Sequence, residues 1–130
     1  MSTIPMSVIE VGSRLVELTR ADKDEQALAE LYADKVESVE AGGADADSVQ
    51  TFSGIDAVRE KHAWWNQVAT LHASTAEGPY AGAGDNHFVV KFWMDITMEG
   101  QPRSEMTEVG LYTVVDGKIV REVYLENMST

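Results

Sequence analysis

Glu108-Val109-Gly110-Leu111-Tyr112-Thr113-Val114-Val115-Asp116-Gly117-Lys118-Ile119-Val120 is the stretch that decides the fold. Its β-branched and aromatic residues read as strands, and Asp116-Gly117 between them is a strong two-residue hairpin signal. With that pair as the loop, Val114 opposes Ile119, Tyr112 opposes Arg121, Gly110 opposes Val123 and Glu108 opposes Leu125. One face then reads Glu108, Gly110, Tyr112, Val114, Ile119, Arg121, Val123 and Leu125. The other reads Val109, Leu111, Thr113, Val120, Glu122 and Tyr124.

Upstream, the same period-two alternation predicts strands over residues 71–77 and 87–98, with 106–115 and 119–126 forming the hairpin. Gly82, Gly84, Asp85 and Asn86 form one connection, and Glu99-Gly100-Gln101-Pro102 another. The first half of the chain has the helical period instead. Val8, Val11, Leu15 and Leu18 fall on one stripe, and Ser7 with Glu10 reads as a capping box, giving a helix over roughly 7–20. A short helix is expected from about Asp24 to Tyr32, then a strand from Lys35 to Ala41 and a loop over Gly42-Gly43-Ala44-Asp45-Ala46-Asp47. Ser53 is expected to cap a third helix, with Asp56 in its first turn and Ile55, Val58, His62, Trp65 and Ala69 on one stripe. Helices come first and strands after, so the class is α+β: three helices on one face of a curved antiparallel sheet.

Composition bounds the function. The chain has 130 residues, no cysteine, and a net charge of −12. That length suits a single domain over residues 1–130, and 44 % hydrophobic residues argue against disorder. Disulfides, thiolate nucleophiles and Cys-ligated metals are excluded. The charge repels phosphate backbones and anionic lipid, so neither nucleic acid nor membrane is an expected partner. Much of it sits between Asp22 and Asp47, where nine carboxylates face two lysines; a solvated acidic face is the simplest reading. Nowhere does a run of about 18 apolar residues occur. Residues 1–10 have no basic region ahead of an apolar run, and a cytoplasmic location is expected.

The order of elements resembles the nuclear transport factor 2-like superfamily, and within it the SnoaL-like proteins, over essentially the whole chain. The resemblance rests on the first amphipathic helix, on Leu31-Tyr32-Ala33-Asp34 leading into a strand, on Phe52-Ser53-Gly54-Ile55-Asp56-Ala57-Val58, and on the terminal hairpin. It implies a cone-shaped α+β barrel whose sheet wraps the helices around an apolar pocket for a small apolar ligand. Such folds carry isomerases, cyclases, hydrolases and non-catalytic binders, so the fold alone does not choose the chemistry.

By that resemblance, counting from Ala33-Asp34 places Glu40 where ketosteroid isomerase has its catalytic aspartate. Strand alternation groups Glu40 with Val36 and Ser38, and Glu37 with Val39, so only one of the two glutamates faces the pocket. A carboxylate in an apolar cavity would titrate high, as general acid–base work requires. His62 on the third helix's stripe is the second catalytic candidate, set against a structurally bonded histidine. Glu108 is the third; it is either functional or paired, Arg121 being the nearest partner in the hairpin register. Trp65 and Asn66, with Phe92 and Tyr112 from the strands, are the expected ligand-contacting residues. The oxyanion-hole residues of ketosteroid isomerase have no counterpart, since Arg14 or Leu15 and Val109 or Gly110 stand in their places.

No metal or other cofactor is implied. The three histidines lack metal spacing, Asp45-Ala46-Asp47 does not continue as a calcium loop, and Gly82-Ala83-Gly84 lacks the third glycine of a dinucleotide loop. Two function classes stand: a cofactor-independent acid–base enzyme (isomerase, cyclase or hydrolase) on a small apolar metabolite, and a non-catalytic ligand-binding or dimerisation module. A homodimer is expected through the outer sheet face. In residues 87–98 the apolar set Phe88, Val90, Phe92, Met94, Ile96 and Met98 must face inward, leaving Trp93 outward among charged neighbours.

Overall fold

The computed structural model describes residues 4–41, 49–82 and 84–126. The expected loop at 42–47 therefore lies outside the described residues. Three helices, α1 (Val8–Arg20), α2 (Asp24–Leu31) and α3 (Ile55–Val68), pack on six strands: β1 (Tyr32–Glu40), β2 (Gln50–Ser53), β3 (Ala69–Ala81), β4 (His87–Met98), β5 (Ser104–Val115) and β6 (Lys118–Glu126). The capping box is present, with Glu10 N–H donating to Ser7 Oγ at 3.2 Å and Ser7 N–H to Glu10 Oε1 at 2.8 Å. α1 seats Val11, Leu15, Val16 and Leu18 in the core and crosses β3 and β4. The crossing is close because residue 12 is glycine: a Cβ there would lie 2.7 Å from that of Pro79.

The sheet order is β2-β1-β6-β5-β4-β3. It is curved but not closed, and it is mixed rather than wholly antiparallel, because β1 runs parallel to β6. β2 was not expected from the sequence. Four residues are too few for alternation to register, and Ser53, read as a helix cap, ends that strand instead. Gly54 takes the cap position with φ +91° and donates its N–H to Val36 O at 2.8 Å, tying α3 to β1. β3 runs on past Glu77 to Ala81, through a register shift at Gly78-Pro79 that reads as a stop in one dimension.

The terminal hairpin corrects the expected register. Asp116 and Gly117 form the turn with positive φ, and Val114 opposes Ile119 as expected. Val120 is then an extra residue. Thr113 pairs with Arg121, Tyr112 with Glu122, Gly110 with Tyr124 and Glu108 with Glu126. A bulge of one residue exchanges the faces of everything beyond it. Glu122 and Tyr124 therefore point inward with Tyr112, while Arg121 is exposed and stands opposite Thr113, away from Glu108.

Candidate functional site

Inside the curve of the sheet, β1, β5, β6 and α3 bring a polar cluster into the apolar core. Its centre is Glu122, which has no solvent exposure. Oε1 accepts from the hydroxyls of Tyr32 (2.5 Å) and Tyr124 (2.8 Å), and Oε2 accepts from Ser38 Oγ (2.6 Å). Three hydroxyl donors on one carboxylate are what a buried acidic group needs to offset its lost hydration. The Lys61 ammonium comes in from α3, 3.6 Å from Glu122 Oε2, donating to Ser38 Oγ at 2.5 Å and to Glu40 Oε1 at 2.8 Å. Its nitrogen also lies over two rings, 5.3 Å from the centre of Phe52 and 5.0 Å from that of Tyr124.

The inner end of the cluster is packed solid. Tyr112 stacks on Phe88 with centroids 4.7 Å apart, and its hydroxyl lies 3.1 Å from that of Tyr124. Gly110 makes room for this ring: a Cβ there would stand 2.7 Å from Tyr112 Cε1. Burial, reinforced by the charge of Glu122, holds the hydroxyls of Tyr32, Tyr112 and Tyr124 protonated well above the usual phenol range. The outer end is partly exposed. Lys61 is 12 % exposed and Glu40 30 %; Phe52 and Tyr124, under the ammonium, are half-buried, as is Phe92 beside Tyr124. Phe92 meets Tyr124 at 6.3 Å between centroids.

Of the residues expected at the site, Glu40 shares the inner face of β1 with Val36 and Ser38, while Glu37 is exposed. Glu40 does not sit in an apolar cavity; it is ion-paired to Lys61 at the rim. Tyr112 and Phe92 belong to the cluster and its rim. Glu108 is half-buried on the inner face of β5, near enough to Tyr112 to disfavour its ionisation. His62 is half-buried and close to Asp24 of α2, whose desolvated carboxyl is raised and which His62 draws partly back down. Trp65 is half-buried and Asn66 exposed.

Two residues escaped sequence reasoning. Lys61 stands three residues after Val58 and four before Trp65, at the edge of the apolar stripe, where its charge hides the inward direction. Glu122 falls on the face opposite Tyr112 in the regular register, and nothing in the local sequence announces the bulge that brings the two together.

Two grooves stand out on the described surface, and neither reaches this cluster. One of about 350 Å³ lies on the outer sheet face among Trp93, Asp95, Arg103, Ser104 and Glu105. The other, about 400 Å³, runs between α1 and β3 beside Arg20 and Pro79. Among the described residues no group of three or more His, Asp or Glu side chains is arranged to hold a metal, and no helix is long and apolar enough to cross a membrane.

Comparison with known proteins gives the family. The SnoaL-like domain profile matches residues 6–125. The chain is similar to a solved Mesorhizobium loti protein assigned as a SnoaL-like polyketide cyclase, at 32 % identity and a TM-score of 0.80, covering 92 % of this chain and 98 % of that one. A Bacillus subtilis protein assigned as an isomerase shares the fold, at 18 % identity, a TM-score of 0.71 and coverages of 91 % and 84 %. So does a Jannaschia protein assigned as a SnoaL-like polyketide cyclase, at 14 % identity, a TM-score of 0.70 and coverages of 98 % and 90 %. No match emerges among curated proteins. On the strength of the profile match and the Mesorhizobium relative, the chain belongs to the SnoaL-like domain family.

Proposed function

We propose that the chain binds a small, mainly apolar molecule at the outer rim of the cluster and carries out cofactor-independent acid–base chemistry there. The observation that carries this reading is the Glu40–Lys61 pair, partly exposed at the rim and backed by fully buried Glu122. Glu40 acts as the base toward a carbon-bound proton. The Lys61 ammonium, held in place by Ser38 and the two carboxylates, donates toward the oxygen on which negative charge develops. Phe52, Phe92 and Tyr124 supply flat apolar contact for the rest of the ligand. The relatives assigned as cyclases and isomerases are consistent with chemistry of this class.

The test is deuterium incorporation next to the carbonyl of 2-tetralone and cyclohexanone in D₂O, followed by proton NMR. Exchange faster than in buffer, reduced on the order of 100-fold or more by Glu40→Gln, is expected of a positioned base. Absence of enhanced exchange overturns the catalytic assignment. A non-catalytic ligand-binding module is the second reading, and one observation favours it. Among the described residues every buried side-chain polar atom already has a partner, so the cluster is satisfied without a substrate. Binding of the same ketones without enhanced exchange decides for it.

A further inference from the structure

The charges at the rim name the class of ligand, an inference that rests on the binding reading above. Lys61 serves two carboxylates at once, Glu40 at 2.8 Å and Glu122 at 3.6 Å, so the three groups together carry one net negative charge. Nor is the lysine's charge wholly free: two carboxylates already share it, and only its third proton remains to be donated to a newcomer. The ammonium is bonded to Ser38 and Glu40 and lies over the faces of Phe52 and Tyr124. An anionic ligand at this rim would meet carboxylates whose countercharge is already engaged, in surroundings that screen poorly. A neutral ligand meets no such penalty. It can stack on the half-buried rings and accept one hydrogen bond from the ammonium.

The geometry points to an uncharged, planar, oxygen-bearing molecule as the ligand class, with carboxylates and phosphate esters rejected at the rim by Glu40 and Glu122. The experiment uses three probes with one ring system: 2-naphthol, 2-naphthoate and 2-naphthylmethylammonium. Their affinities are measured at pH 7 by saturation-transfer NMR on the intact chain. Naphthol is expected to bind at least about tenfold more tightly than naphthoate, a difference of about 1.4 kcal/mol. Glu40→Gln, at the partly exposed rim, should narrow that ratio to within about threefold, with circular dichroism confirming the fold. Phe92→Ala should weaken naphthol itself. Naphthoate binding as tightly as naphthol, or a ratio unmoved by Glu40→Gln in a folded variant, overturns the charge inference and leaves the binding reading standing. Naphthylmethylammonium binding more tightly than naphthol also overturns it, by making the ligand class cationic. No binding of any probe, or naphthol binding indifferent to Phe92→Ala, overturns the rim as the binding site and the inference with it.

Discussion

Replacing Glu122 by leucine tests whether the buried cluster is held together as described. The substitution keeps an apolar volume at a fully buried position but removes the acceptor for Tyr32, Ser38 and Tyr124. Each buried donor left without a partner costs about 1–3 kcal/mol. Tyr124 retains Tyr112 as a neighbour and Ser38 retains Lys61, so the total should fall short of three full penalties. Loss of one member of a buried charged group gives a similar figure, about 3–5 kcal/mol. For a domain of this size the melting temperature should drop by about 10–20 °C, at roughly 3–4 °C per kcal/mol. Lys61→Met should cost up to about 3 kcal/mol: Glu122 keeps its three hydroxyls but loses its cation, and Glu40 loses its partner at the rim. In the double variant neither a carboxylate nor an ammonium is left behind without the other, so the two losses should combine to less than their sum. Urea unfolding of the four proteins followed by circular dichroism measures all of these quantities. Strict additivity, or a Glu122→Leu protein as stable as the parent, would refute the account of a mutually dependent cluster.

Three further outcomes are expected. Because burial holds Tyr32, Tyr112 and Tyr124 protonated in the folded state, the unfolded chain loses those protons first. Stability should therefore be present below about pH 10 and lost as pH rises past it, with phenolate absorbance from these three appearing only on unfolding. Gly110→Ala places a Cβ against the Tyr112 ring and should cost about 1–3 kcal/mol by thermal melt; an unchanged melt would mean that the ring shifts freely. Sedimentation at micromolar concentration should give about twice 14.3 kDa, and Trp93→Glu on the outer sheet face, which also removes the indole bond to Glu105, should return a monomer. A dimer indifferent to that change would place the contact elsewhere.

The helices and the strands of the C-terminal meander were legible because they follow from local periodicity, whereas β2 and the parallel pairing of β1 with β6 were not. The capping box at Ser7 and Glu10, the stripe of α1 and the turn at Asp116-Gly117 each depend on residues close in sequence. The inner face of β4 was equally plain, since Phe88, Val90 and Ile96 are all buried. Grouping Glu40 with Ser38 also held, because alternation survives along β1. The site itself was mostly hidden. Lys61 is inward only because partners from β1 and β6 await it, and a charged residue at the edge of an apolar stripe does not declare them. Glu122 depended on one extra residue at Val120, a feature decided by what lies across the sheet and not by what lies beside it. His62 looked the better chemical candidate on α3, yet it sits near Asp24 while its neighbour Lys61 enters the cluster.

The bulge at Val120 has a consequence for how the chain finds a single structure. Without it the hairpin would close in the regular ladder and turn Arg121, Val123 and Leu125 inward. Two of those three are apolar, so hydrophobicity alone discriminates weakly between the alternatives. The decisive difference is polar. Only the bulged arrangement delivers a carboxylate to the hydroxyls of Tyr32 and Ser38, and the other would strand a guanidinium among them. Glu122 is thus an index mark that tells β6 how far to slide along β5 before it locks. Glu122→Leu alone removes half of that difference and leaves the guanidinium barring the other register; with Arg121→Val added, a mixture of two hairpins should appear, recognisable as doubled amide resonances along β6.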